Sequence, residues 1–175
     1  MALWRIRATV DDRPGYLSVL TASLALRSVN ILSVQVHATE AGSVDEFLVD
    51  APDVIGYKQL VQAVDKGRGR DAWVSRTDAR GLIDEPTRVL GIAASVAADP
   101  SHLDEGLVAL LGECDVTRVT DSPTAVSATV MALADPAGGT IIVRRDEPAF
   151  TPAEFARAHA LVQVAAASRA VDSSY

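Results

Sequence analysis

From Leu3 to Val10 the chain alternates. Trp4, Ile6, Ala8 and Val10 share one face; Leu3, Arg5, Arg7 and Thr9 share the other. Period two over such a stretch predicts a half-buried strand. Asp11-Asp12-Arg13-Pro14-Gly15 then breaks the alternation, and apolar residues return at helical spacing through Leu17, Leu20, Ala22, Leu24 and Val29. Pro14 suits the opening of a helix, where a missing N–H costs nothing. Asn30 suits its exit, because Asn tolerates left-handed backbone. A strand, a tight acidic turn, a helix and the start of a second strand thus occupy the first thirty or so residues.

The same reading carries on to residue 77. Ile31 to Ala38 alternates, with Leu32, Val34 and Val36 on one side and Ser33, Gln35 and His37 on the other. Ala41-Gly42-Ser43 is a turn signal, and Val44 to Val49 completes a hairpin. Ile55, Leu60, Val61 and Val64 mark a second helix that ends at Lys66-Gly67-Arg68-Gly69-Arg70, and Ala72 to Arg76 forms a fourth strand. The order strand–helix–strand–strand–helix–strand predicts a ferredoxin-like unit, with two helices covering one face of a four-stranded antiparallel sheet. That fold hosts many activities, so the order alone names no function.

Asp78 to Glu85 reads as a linker before Pro86. Beyond it the pattern predicts a strand over Arg88 to Ser95 and a helix from Leu103 to Leu111, with Pro100 and Ser101 at its start. Three strands follow, over Val116 to Thr120, Ala125 to Leu133 and Thr140 to Arg145, the last two joined through Ala134 to Gly139. A closing helix runs from Pro152 to Val171. Thr151 is its N-cap and Glu154 completes a capping box. The expected class is α+β: a ferredoxin-like βαββαβ domain over residues 1–77, then a C-terminal α/β domain over 87–175 with antiparallel strands and a closing helix.

The bulk numbers exclude several functions. A formal charge of -7 disfavours nucleic acid as a partner. The one cysteine, Cys114, allows neither an internal disulfide nor a multi-cysteine zinc site. Arginines interrupt the apolar residues of Met1 to Arg7, which is neither a signal peptide nor an anchor. No apolar run approaches the roughly 18 residues that span a bilayer. The expectation is a cytoplasmic protein with no membrane partner and no cofactor.

The turn carries the chemistry. A helix opening near Pro14 offers unpaired N–H groups from Gly15, Tyr16 and Leu17, and its positive end favours a carboxylate. Gly15 has no Cβ to keep a ligand from the backbone. Asp11 or Asp12 can accept from an ammonium, and Asn30 can both donate and accept. These groups match the head group of a free amino acid. The structural alternative is that Asp12 caps the helix, Pro14-Gly15 shapes the turn and Asn30 ends the helix.

Asp12-Arg13-Pro14-Gly15 and Val29-Asn30-Ile31 resemble the paired motifs of ACT domains, small ligand-sensing modules attached to amino-acid enzymes and regulators. In the ACT domains of phosphoglycerate dehydrogenases, Asn-Arg-Pro-Gly precedes the helix and Val-Asn-Ile opens the second strand. The resemblance implies a site built from Asp11, Asp12, Arg13, Pro14, Gly15, Tyr16, Leu17, Asn30 and Ile31. It also implies a homodimer, with the ligand often held between two copies. Serine-binding members place a His before the turn. This chain has Val10 there, which points to a more apolar ligand. The ending, Gly139-Thr140-Ile141-Ile142-Val143 with Pro148, Phe150 and the capped helix, resembles the last hairpin and closing helix of a GAF domain, another sensor.

The remaining candidates are weaker. His37 reads as a solvated sheet residue, and His102 and His159 have no clustered partners in sequence. Acidic Glu113 and Asp115 should raise the thiol pKa of Cys114, against a nucleophilic role. Lys66 to Arg70 lacks a phosphate-loop arrangement and reads as a solvated loop. Glu40, Asp45 and Glu46 read as a charged hairpin rim. The expected function is non-catalytic, regulatory binding of an amino acid or similar small metabolite. The alternatives are a small enzyme with its site in the second half, and a dimerising protein-interaction module.

Overall fold

The computed structural model describes residues 2–39, 42–77, 85–120 and 126–172. The chain divides into two compact units, Met1–Ile83 and Asp84–Tyr175, each with its own hydrophobic core.

The first unit runs β1 (Ala2–Val10), α1 (Tyr16–Ala25), β2 (Asn30–Thr39), β3 (Gly42–Ala51), α2 (Tyr57–Lys66) and β4 (Arg70–Arg76). All strand pairs are antiparallel, in the order β2-β3-β1-β4. This is the α+β, βαββαβ arrangement that the periodicity predicts. Trp4, Ile6, Ala8 and Val10 of β1 are buried, and so are Phe47 and Val49 of β3. Leu20 and Leu24 of α1 and Leu60, Ala63 and Val64 of α2 close the core over them. Each large apolar side chain so buried stabilises the fold by roughly 1.5–3 kcal/mol. The helices meet closely: the Ser23 hydroxyl donates to the Ala63 carbonyl at 2.7 Å. A Cβ on Gly67 would lie 2.8 Å from the Leu20 Cα.

Four local expectations shift. α1 starts at Tyr16, not near Pro14, because Gly15 has φ 92° and a left-handed residue cannot continue a right-handed helix. The left-handed exit falls on Ser28 (φ 57°), not on Asn30. The Val29 amide closes that exit on the Leu24 carbonyl, a Schellman-type bond, and Asn30 is already the first residue of β2. Gly42 and Ser43, expected in the turn, open β3 instead; Glu40 and Ala41 lie outside the described residues. Finally, Leu32, Val34 and Val36 of β2 are not covered. Val34 and Val36 face the same side as Phe47 and Asp45, yet remain 43% and 54% exposed. β2 is an edge strand, and the helix layer does not reach over it.

The second unit runs α3 (Glu85–Ala98), a short 3-10 turn (Pro100–His102), α4 (Leu103–Leu111), β5 (Asp115–Val119), β6 (Val130–Ala134), β7 (Thr140–Arg144) and α5 (Pro152–Asp172). Its sheet is antiparallel, in the order β5-β7-β6. The strand expected over Arg88 to Ser95 is a helix. Val89, Ile92, Ala93 and Val96 recur at i, i+3, i+4 and i+7 and pack into the core, and Pro86 sits in the first turn, where it is tolerated. The strand expected from Ala125 shortens to Val130–Ala134, because Ser127 and Val130 exchange backbone hydrogen bonds in a turn. Ala125 itself, and Asp78 to Asp84 of the expected linker, lie outside the described residues.

The capping box of α5 forms as read. The Glu154 amide donates to Thr151 Oγ1 at 3.2 Å, and the Thr151 amide donates to Glu154 Oε2 at 2.7 Å. Glu154 also holds Arg145, at 3.0 and 2.9 Å. Arg145 is only 7% exposed. It donates to the carbonyls of Leu111, Pro148 and Ala149 and lies over the Phe150 ring. Removing one partner of a buried pair strands the other's charge. Glu154→Ala should therefore cost about 3–5 kcal/mol, read as a lowered urea midpoint by circular dichroism. Gly67→Ala should cost roughly 1–3 kcal/mol by overpacking, since its φ of -79° carries no strain.

Candidate ligand site

The turn between β1 and α1 is tightly wound. The Arg13 amide donates to the Asp11 carbonyl at 2.8 Å, the Tyr16 amide to the Arg13 carbonyl at 3.2 Å, and the Val19 amide to the Gly15 carbonyl at 3.1 Å. The Tyr16 N–H is thus committed. Among the described residues nothing accepts from the amides of Leu17 and Ser18, which open toward the positive end of the helix. Asp12 does not cap α1; the N-cap is Gly15, with no side-chain cap. The space around Gly15 is open, with nothing within 4 Å of a built Cβ. Backbone geometry, not clearance for a ligand, is what demands glycine there.

The two carboxylates of the turn have different roles. Asp11 accepts from Arg70 Nη1 at 2.8 Å. That hydrogen bond holds the Asp11 carboxyl below its ordinary range. Asp12 is exposed and has no partner among the described residues. Arg68 lies over the Tyr16 ring, 5.9 Å from its centre. In the run from Lys66 to Arg70 the charged side chains are exposed, as a solvated loop requires. Gly67 and Gly69 are buried, and the segment folds onto the acidic turn and brings two arginines to it. Arg13 and Pro14 are exposed.

Asn30 and Ile31 are not beside this turn within one chain. Asn30 pairs with Asp50, and Asp50 with Leu3, whereas Val10 pairs with Ser43. The separation is the length of β1 from Leu3 to Val10, roughly 23 Å at ~3.3 Å per residue. Ile31 packs against the core, as does the Leu17 side chain. Leu17 offers only its amide.

Asp45 is the residue that sequence reasoning misplaced. It is not on a charged rim: it is 1% exposed, on the helix-covered face of β3. Its Oδ1 accepts from Ser43 Oγ at 2.8 Å. Its Oδ2 is buried with no partner among the described residues. The signal was present, since Ser43, Asp45, Phe47 and Val49 share one parity along the strand. Glu46, on the opposite face, pairs with Arg7 at 2.6 Å and Arg5 at 3.3 Å. His37 is half-buried on that face, opposite Val44.

Elsewhere the chemistry is sparser. The structure gives His102 partners: Ser95 Oγ lies 3.4 Å from Nδ1, and Asp99 Oδ2 lies 3.9 Å from Nε2. This is no catalytic triad. The imidazole and Asp99 are half exposed, 3.9 Å is not a hydrogen bond, and Asp99 caps the 3-10 turn through Ser101. Burial raises the pKa of Cys114, and Asp115 adds to the rise. Among the described residues no cluster of His, Cys, Asp or Glu could hold a metal. No helix among them is long and apolar enough to cross a membrane. A shallow groove along α1, lined by Val19, Ala22, Leu26, Arg27 and Lys66, contains no carboxylate for an ammonium.

No protein-family model matches the chain, and no curated protein matches it in sequence. Solved structures align at low similarity. One is the regulatory subunit of aspartate kinase from Thermus thermophilus, at 14% identity and TM-score 0.38, covering 94% of this chain and 93% of that one. Another is a protein from Galdieria sulphuraria, at 12% identity and TM-score 0.39, covering 93% and 89%. A formyltetrahydrofolate deformylase from Pseudomonas putida aligns at 13% identity and TM-score 0.34, covering 43% of this chain and 28% of that one. The chain thus spans under a third of the deformylase's length. Scores at this level carry no argument about family or activity.

Burial raises the Asp45 pKa above the ordinary aspartate value of 3.8. The Ser43 hydrogen bond and the His37 charge oppose that rise, and Asp12 adds to it. A raised folded value means that the contribution of Asp45 to stability is complete below pH ~3.9. It is lost as pH climbs through the folded value. Asp45→Asn keeps an acceptor for Ser43 and removes the buried charge. The variant should be more stable than the parent at pH 7, with the gap closing toward pH 4, as read from urea midpoints across that range.

Proposed function

We propose that the first unit binds a free amino acid or a similar small metabolite, and that the protein is a non-catalytic regulator. One observation carries this reading. Among the described residues Asp12 is exposed and uncommitted, in the same turn as the open Leu17 and Ser18 amides, while Arg70 neutralises its neighbour Asp11. An acceptor for an ammonium and donors for a carboxylate therefore share one turn. Arg68, held over Tyr16, adds a cation on the carboxylate side.

The site is completed by a second copy of the chain. β2 is an edge strand that leaves Leu32, Val34 and Val36 in water at 42%, 43% and 54% exposure. A long apolar edge of this kind favours strand pairing. A two-fold antiparallel pairing of β2 with its copy sets Asn30 of one chain near the Thr39 end of the other, the end at which the turn lies. The two motifs that one chain separates are then brought together by two. A ligand gripped by both chains stabilises the arrangement it prefers, and that differential affinity is the regulatory output.

A thermal-shift screen against the twenty amino acids, followed by calorimetry, tests the site. Asp12→Ala should weaken the best binder roughly 10- to 100-fold, the worth of a charge-assisted hydrogen bond of about 1.5–3 kcal/mol. Unchanged affinity would place the site elsewhere. Binding by none of the twenty at millimolar concentration would sink the amino-acid reading and leave an assembly module. For the shared site, sedimentation at micromolar concentration should show a dimer. Val36→Lys should yield a folded monomer that has lost ligand affinity. A monomeric parent protein would confine any site to one chain.

A further inference from the structure

We infer that Asp45 belongs to the ligand site: its unpartnered carboxylate oxygen takes the ammonium of the bound molecule jointly with Asp12. The inference rests on the amino-acid reading of the turn and adds a second, buried anion to it.

A buried carboxylate is ordinarily paired or fully hydrogen-bonded, because an unmet one costs several kcal/mol. Asp45 meets only half of that requirement. Ser43 satisfies Oδ1, and Oδ2 is buried with no donor among the described residues. No lysine or arginine among the described residues pairs with it. Its cross-strand neighbours, Ala8 of β1 and Val36 of β2, are apolar. Neither neighbour accounts for an acid at this position.

Its position explains it. Ser43, which holds Asp45, pairs with Val10, and the chain leaves Val10 directly into the turn. The contact between hairpin and turn is close: a Cβ on Gly42 would lie 2.5 Å from the Val10 carbonyl oxygen and 3.7 Å from the Asp11 Cα. The Asp12 charge acts on Asp45 across this junction. Asp12 is thus the exposed acceptor of the site and Asp45 the sheltered one. An ammonium carries three donors in a compact head, and two carboxylates can take two of them. Oδ2 is out of solvent, so a ligand reaches it only if the turn shifts; the space around Gly15 in that turn is open. The adjacent Val34 and Val36 offer an apolar wall to a ligand side chain. The class selected is therefore a primary amine, specifically an α-amino acid with an apolar side chain, in preference to the same carbon skeleton without its amino group. A site built around a polar group rejects analogues lacking it strongly, because its own buried groups are then left unmet.

The test crosses two proteins with two ligands. Calorimetry compares the parent and Asp45→Asn against the tightest-binding of the twenty amino acids, and against the same acid lacking its amino group. Asp45→Asn should weaken the amino acid roughly 10- to 100-fold and leave the des-amino acid within about twofold, with folding confirmed by circular dichroism. Equal weakening of both ligands, or no weakening of either, would show Asp45 to be structural. In that event a loss of affinity in Asp12→Ala would leave the reading of the turn intact. Failure of every amino acid to bind would overturn both.

Discussion

The antiparallel register of β1 against β3 is the constraint on which the first unit depends. It is continuous from Ala2 opposite Ala51 to Val10 opposite Ser43. One end of the sheet thereby holds the acidic turn, Gly42 and the Ser43–Asp45 pair; the other holds Leu3, Asp50 and Asn30. A slip of one residue would exchange the faces, bringing Glu46 and Leu48 to the helices and putting Phe47 in water. The burial of Phe47 and Val49 therefore enforces the register, and the register enforces the burial of Asp45. The costly burial of Asp45 is a consequence of geometry that apolar packing secures; among the described residues of this unit Trp4 Nε1 and Asp50 Oδ1 are likewise buried without a partner.

The loop from α2 to β4 decides how the turn's charges are used. Its two glycines lie where a side chain would strike Leu20 or Val64, so the loop packs down and its arginines reach the turn. The Arg70–Asp11 pair is exposed, and such pairs contribute little to stability. Its effect is positional: one carboxylate is neutralised and the other left available. The neighbouring carboxylates Asp11 and Asp12 thus acquire different surroundings from a contact nearly sixty residues away in sequence.

The second unit is organised by a single buried cation. Arg145 leaves the end of β7 and is met by three carbonyls, a carboxylate and an aromatic face. Glu154 serves it and the helix N-terminus at once. Charge, cap and ring are mutually satisfied, which is what makes a buried ion pair tolerable. This knot fixes where α5 begins relative to the sheet. By contrast Ser95, His102 and Asp99 are drawn together only by the turn between α3 and α4, with no enclosing wall.

Much of this was legible in the sequence, and for a local reason. Strand alternation in β1, the helical spacing of α1 and α2, the β6–β7 hairpin and the Thr151–Glu154 capping box each depend on residues a few positions apart. The helix over Glu85–Ala98 was legible too, in the spacing of Val89, Ile92, Ala93 and Val96, but its run of small apolar residues also resembles a buried strand. The site was legible only in part. Asp12, Gly15 and the helix opening follow from the turn motif. The separation of Asn30 from that turn, the burial of Asp45, the descent of Arg68 and Arg70 onto Asp11 and Tyr16, and the exposure of Val34 and Val36 do not. Each is set by which strand pairs with which and how far the helices reach, and those are non-local facts. Local pattern is enough to set the elements of the first unit and the residue types at their ends; which of those ends meet follows from strand pairing and helix reach, which no short stretch of sequence encodes.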